Sequence, residues 1–286
     1  MILAALEAVA TAEPPGLLPA RMQMAFSLGW HIILACFGVA FPAMIWVVHR
    51  RGVRQGDEVA LGLAKRWSKV AAVLFAIGAV SGTILSFEMG MLWPGLMGPY
   101  GDVIGLPFAL EGIAFFMEAI FVGIYLYGWG RLPGVVHYRL LVPIAVAGLV
   151  GTFCILAVNA WMNDPAGFRL EGGEVVDVDP WRAMFNDAVL GQFAHMWVAT
   201  FMVVGFSVAG VYAAGMLRGR RDEHHRLGFI VPFAFASVAA LVQPLIGHVL
   251  GQQVAGRQPG EAGGLRAGDR DRGAGAAASR RPADRR

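Results

Sequence analysis

An all-α membrane protein built as a bundle of about six transmembrane helices is the fold this sequence predicts, and three observations predict it. Six long apolar stretches lie within the first 250 residues. The 286 residues are 57% hydrophobic and 15% charged, with a mean hydropathy of +0.58; a soluble domain carries about a quarter charged residues. The third observation is that basic residues gather in every second connection between the stretches.

A helix crosses lipid with about 20 mostly apolar residues, which places candidate spans at about 22–48, 67–92, 107–127, 140–161, 188–217 and 228–250. Residues 1–21 form an N-terminal segment expected outside the membrane. They lack a basic n-region, and the apolar run from Met22 is too long for the h-region of a secretory signal. The connection after span 1 holds Arg50, Arg51, Arg54, Lys65 and Arg66. Arg131 and Arg139 follow span 3, and Arg218, Arg220, Arg221 and Arg226 follow span 5. The alternate connections hold Asp102, and then an acidic loop with Asp164, Glu171, Glu174, Asp177 and Asp179. The positive-inside bias makes the basic set cytoplasmic and the N-terminus external. Trp46, Trp67 and Trp129 are expected as an inner aromatic belt, and Trp93, Trp161 and Trp181 as an outer one. Residues 22–255 thus read as one transmembrane bundle, and residues 256–286 as a Gly, Ala, Arg and Asp tail too polar to fold.

Several classes are excluded or disfavoured. The net charge of +3, with no basic and aromatic-interleaved surface, gives no reason to expect nucleic acid. Cys36 and Cys154 both fall mid-span as small fillers, and the absence of CxxCH argues against covalently attached haem. No span holds two histidines two to four turns apart, so a diagonal cytochrome b is not indicated.

Ionisable groups in hydrocarbon are costly and mark function by default. His31 in span 1, Glu111 and Glu118 in span 3 and His195 in span 5 all fall in the outer half or near mid-membrane. Glu88, Gln243 and His248 join them from the ends of spans 2 and 6. His31 and His195 suit axial ligation of haem iron, or equally an interhelical hydrogen bond. Glu111 and Glu118, seven residues apart, share a helix face and suit a proton path, a metal or haem ligand, or a single protonated bond to a neighbour. Asn159 either caps a helix end or bonds a buried group. His49, His137, His224 and His225 lie among cytoplasmic charges and are expected to be solvated.

Four ordered motifs then carry a resemblance. "ARMQMAFSLGWHIILACFGVAFP", "GLPFALEGIAFFMEAIFVGIYLYGWGRL", "LAVNAWMNDP" and "GQFAHMWVATFMVVG" resemble subunit I of cytochrome bd-type quinol oxidases, over roughly residues 20–258. The resemblance implies a quinol:dioxygen oxidoreductase of the bacterial cytoplasmic membrane, multi-pass, reducing dioxygen to water with cytoplasmic protons. It implies a low-spin haem b, a high-spin haem b, and a haem d or second haem b. It makes His31 an axial ligand of a high-spin haem iron and His195 an axial ligand of the low-spin haem iron. Glu111 and Glu118 fall on carboxylates that serve as proton donor or, for Glu111, haem ligand, and Asn159 matches a polar position beside the high-spin pair. The usual hydroxyl upstream of Asn159 is replaced by Gly151. Subunit II, a small single-span subunit, lipid, quinol and dioxygen are the implied partners. "SLGWH" and "GQFAH" also make physical sense as haem contacts, because small residues beside each imidazole admit a macrocycle.

Relatives continue past span 6 into a quinol-binding loop and further spans, which supply the methionine opposite His195 and another Glu. Here the places of a quinol-binding Lys and Glu hold Glu261 and Arg266, and the change of composition after "VAGRQP" reads as a frameshift or truncated frame. The family activity is therefore expected of an assembly and not of this chain alone. A proton-coupled transporter using Glu111, Glu118 and His195, or a non-catalytic haem-binding fragment, are the competing readings. The transporter predicts internal repeats, and spans 1–3 and 4–6 show no convincing one.

Overall fold

In the computed structural model, which describes residues 16–257, eight helices and one small hairpin follow in order. They are α1 (Leu17–Gln55), α2 (Glu58–Leu92), α3 (Pro94–Tyr127), α4 (Gly134–Arg139), α5 (Leu141–Asn163), β1 (Arg169–Glu171), β2 (Glu174–Val176), α6 (Pro180–Met184), α7 (Val189–Leu217) and α8 (Glu223–Arg257). Six helical stretches, with α4 and α5 counted as one, are long and apolar enough to cross a membrane. The protein is a multi-pass membrane protein, as its composition predicts. The tail expected to be disordered lies outside the described residues, apart from Gly256 and Arg257, which continue α8.

The helices outrun the apolar windows because capping and charged turns extend them into water. Gly56 turns the chain with φ 68°, and Asp57 then caps α2 by accepting from the Ala60 N–H at 2.9 Å. Arg51 donates to the same carboxylate at 2.7 Å. The Ala60 amide first, and the Arg51 guanidinium after it, hold the Asp57 carboxyl below the usual carboxylate range. At its start α3 runs through Pro99 and Pro107, so it begins well before the expected position 107. Each proline removes one ladder bond and leaves the rest of the helix in place.

The helices pair antiparallel as α1 with α2, α3 with α5 and α7 with α8, and α1 sits centrally against α2, α5, α7 and α8. Gly205 lets α7 approach α8 closely: a Cβ there would lie 2.6 Å from the Pro232 carbonyl. The acidic connection holds a feature the sequence reading did not anticipate. β1 and β2 pair antiparallel with Glu171 opposite Glu174, around Gly172 and Gly173 at φ 61° and 92°.

Burial is unequal along the bundle. Every buried residue of α1 lies at or after Leu34, and α2 buries Ala60, Leu63, Ala64, Trp67 and Ser68 near its start. Phe41, Met44, Ile45 and Val48 meet Leu63, Trp67 and Val204 in one core at this end, which holds His49. At the opposite end, which holds His31, a second core joins Val103 and Ile104 to Val158, Trp161 and Ala183. There α1 and α2 stand largely open, with Phe26 75% and Phe87 64% exposed.

Of the six tryptophans expected in aromatic belts, two are buried. Trp67 is buried and donates to the Tyr212 hydroxyl at 2.9 Å; Trp161 is buried and donates to the Ala166 carbonyl at 2.9 Å. The indole N–H groups of these two find partners inside the protein, which allows their burial. Trp181 does remain exposed.

Candidate functional site

The open stretch of α1 carries a polar stripe at i, i+4 and i+8, made of Gln23, Ser27 and His31, facing α2. Gln23 Nε2 and Ser27 Oγ both donate to Glu88 Oε1, at 2.8 and 2.7 Å. Glu88 is buried, and its Oε2 has no partner among the described residues. One turn further, half-buried His31 brings Nδ1 to 2.9 Å from Ser81 Oγ. Ser81 donates its only proton to the Gly78 carbonyl at 3.0 Å, so its oxygen accepts from Nδ1–H. In that arrangement the neutral ring carries its proton on Nδ1, and Nε2 makes no hydrogen bond to a side chain among the described residues. Gly82 makes room for the ring, since a Cβ there would stand 3.0 Å from Cε1.

On α3, Glu111 and Glu118 point toward α5. Glu118 is buried between Gly38 of α1 and Gly148 of α5, where a Cβ at either glycine would lie 3.5 Å from Oε1. Glu111 is half-buried beside Gly151, whose Cβ would lie 4.0 Å from its Cγ. No described residue hydrogen-bonds either carboxyl group.

Half-buried His195 on α7 faces Gly247 of α8, and its imidazole makes no hydrogen bond among the described residues. Gln243 donates to the His195 carbonyl at 3.1 Å, while Gln243 Oε1 and Gln253 Oε1 are buried without partners. Asn159 donates to Gln192 Oε1 at 2.7 Å, which joins α5 to α7 and does not cap a helix end. His248 pairs with Gln252 at 3.1 Å. The structure thus holds the predicted residues as three neighbouring clusters, on α1/α2, on α3/α5 and on α5/α7/α8. No hydrogen bond among the described residues joins one cluster to another.

Two histidines expected in solvent are buried instead: His49 is 1% and His137 3% exposed. The reason is that α1 continues to Gln55, which carries His49 under Trp129 and against Tyr125 and Tyr138. The aromatic run around Tyr125, Trp129 and Tyr138 was the signal that could have indicated this. His224 and His225 are half-buried, and Asp222 holds His225 Nδ1 at 2.9 Å. That bond to His225 keeps the exposed Asp222 carboxyl low.

Residues 19–267 match the family model of the cytochrome bd terminal oxidase subunit I. The bd oxidase from Geobacillus thermodenitrificans superimposes with a TM-score of 0.82 and 37% identity, over 85% of this chain and 56% of that one. A Bacillus subtilis (strain 168) protein, provisionally assigned as a cytochrome bd menaquinol oxidase subunit I, is 35% identical over 244 residues, 84% of this chain and 55% of its own. The cytochrome bd ubiquinol oxidase subunit 1 of the same strain is 28% identical over 241 residues, again 84% of this chain and 52% of its own. The chain spans about half the length of the curated relatives it matches.

Proposed function

Because the chain belongs to the cytochrome bd terminal oxidase subunit I family, we propose that it supplies the haem-bearing helices of a quinol:dioxygen oxidoreductase in the bacterial cytoplasmic membrane. It does so with subunit II, a small single-span subunit, and the segments that lie beyond its length in the relatives. The basic connections lie on the cytoplasmic side, and the His31 end faces outward.

The observation that carries this reading is the His31 arrangement. A neutral imidazole with Nδ1 tied to Ser81 and Nε2 bonded to no described side chain, on an apolar helix face left open, is a ligand prepared for iron that arrives in a macrocycle. Among the described residues no group of three or more His, Cys, Asp or Glu converges to hold a bare metal ion. The donor set therefore fits a haem better than a protein-only metal centre. His195 offers a second imidazole, on α7 beside Gly247 of α8.

When bound, a low-spin haem b and a high-spin pair, haem b with haem d or a second haem b, supply electron storage and dioxygen binding. The chain's own residues do the rest. His195 would hold the iron of the low-spin haem, and His31 would hold the iron of a high-spin haem. Glu118, buried and without a hydrogen-bond partner among the described residues, stores a proton in its carboxyl group and passes it toward the reaction. Glu111, one step nearer the open end, continues that transfer or ligates iron. The Asn159–Gln192 amide pair keeps α5 and α7 in register beside it.

A reduced-minus-oxidised optical spectrum of the purified chain tests this reading, with His31→Ala and His195→Ala alongside. Each variant is expected to lose a different haem component. A wild-type chain with no haem signal would sink the haem assignment.

A further inference from the structure

We infer that the buried His49–Tyr125 pair is the proton inlet that supplies Glu118 from the cytoplasmic end of the bundle. The inference rests on the proposed role of Glu118 as a proton carrier and deepens it.

Nothing in the His31 and His195 clusters uses the other end of the molecule, yet that end buries polar chemistry at some cost. His49 Nδ1 lies 3.0 Å from the Tyr125 hydroxyl. The His49 ring stacks on Trp129 with centroids 4.7 Å apart and 15° between planes. His137 meets it edge-on at 4.9 Å and donates from Nε2 to the Tyr125 carbonyl at 2.7 Å, which locks α4 to α3 at this point. A plug between three helices needs none of these groups, because apolar side chains of the same volume would fill the space without a desolvation penalty. An imidazole and a phenol joined by a hydrogen bond are, by contrast, both groups able to hand on a proton.

The pair also leads somewhere. Tyr125 and Glu118 line one cavity of about 30 Å³, together with Gly38, Pro42, Ser68 and Val122. One water needs at least about 10–15 Å³ of such volume, so roughly two waters fit. Tyr125 and Glu118 are seven residues apart on α3, about 10 Å along the axis, and the Ser68 side chain lines the same space.

The transfer balances as a relay with no net chemistry. His49 first takes a proton at Nε2, which makes no hydrogen bond to any described residue, and the imidazolium then passes its Nδ1 proton to the Tyr125 oxygen while the Tyr125 hydroxyl proton moves to the first cavity water. That water's proton moves on to the Glu118 carboxylate. His49, left neutral with its proton on Nε2, returns to the Nδ1–H tautomer to reset. The titratable and charged groups around the imidazole are His137 and Tyr138 from α4 and Tyr125 from α3. The neighbouring cations engage the aromatic wall and do not hydrogen-bond His49: Arg54 reaches Tyr138, Lys65 lies over Trp129 and Arg50 over Trp46.

Infrared spectroscopy of the purified full chain tests the relay without requiring turnover. The carboxyl band of Glu118, identified by its loss in Glu118→Gln, shifts as its proton exchanges after transfer into D2O. Tyr125→Phe and His49→Gln, which keep the shape of the site, are expected to slow that exchange by roughly a hundredfold, the low end of what a positioned proton-transfer group contributes. Tyr138→Phe, in the same wall but outside the relay, is expected to leave it unchanged. Wild-type exchange rates in both relay variants overturn the inference; if Tyr125→Phe does not fold, His49→Gln alone decides. The optical spectrum of the same samples separates the two ideas. Missing haem in the wild type sinks the parent reading, while intact haem with unaltered exchange in the variants sinks only the relay.

Discussion

The two ends of α1 belong to one helix and obey different rules. From Leu34 onward the helix buries Phe41, Met44, Ile45 and Val48 against three neighbours, whereas nothing from Leu17 to Ile33 is buried. The same asymmetry appears in α2, where Glu88 is the one buried residue in the half that faces the start of α1. The closed end contains what these six long helices need to hold each other. The open end instead offers polar side chains on otherwise apolar surface, the arrangement expected where a large apolar group is to be received.

This comparison can be broken by substitutions matched across the two ends. Phe41→Ala at the closed end is expected to destabilise by about 3 kcal/mol, read as a fall in thermal unfolding temperature in detergent. The low end of the usual range applies because lipid solvates the unfolded side chain, and only lost contacts count. Phe26→Ala at the open end should change the same reading by less than about 0.5 kcal/mol. Equal losses would mean that the open end is structurally engaged.

A matched pair of glycines sharpens the contrast. Gly205→Ala drives a methyl group into the Pro232 backbone carbonyl and is expected to cost about 1–3 kcal/mol. Gly191→Ala meets only the far ends of the Gln253 and Leu250 side chains, which can swing away, so a change below about 0.5 kcal/mol is expected. Hydrogen exchange along α7 would resolve the two positions separately.

The smallest expected effect lies at the tip of the closed end. Asp57→Ala removes the α2 cap and should cost about 1 kcal/mol. The folded-state carboxyl is held below its unfolded value, so its contribution is present above the unfolded pKa and disappears as pH falls through the lowered folded one. An acid titration of stability should therefore converge for wild type and Asp57→Ala at low pH. A gap that persists there would assign the effect to something other than the ionised cap.

The six apolar windows were legible in the sequence because lipid imposes one requirement on all of them, length with low charge. Helix ends were less so: the third span was expected from about residue 107, and the helix runs from Pro94 through Pro99 and Pro107. The β1–β2 turn was in principle visible as Gly172–Gly173 within an acidic stretch. His31, Glu111, Glu118 and His195 stood out because a polar residue in an apolar run has few bland explanations. His49 and His137 did not, because the groups that bury them come from elsewhere: Tyr125 lies 76 residues from His49. Local charge density predicted solvent, and a distant aromatic wall overrode it.

Pro42 gives α1 the mechanics of a hinged lever. Its missing N–H weakens the helix at one point, eleven residues beyond His31, or about 16 Å along the axis. A bend of about 5° there would swing the imidazole by roughly 1.4 Å, several times the few tenths of an ångström that its proposed role as an iron ligand would tolerate. The fulcrum therefore has to be clamped, and Pro42 is buried in the wall of the cavity that Glu118 and Tyr125 share. Aim at one end of the molecule is set by the grip at the other.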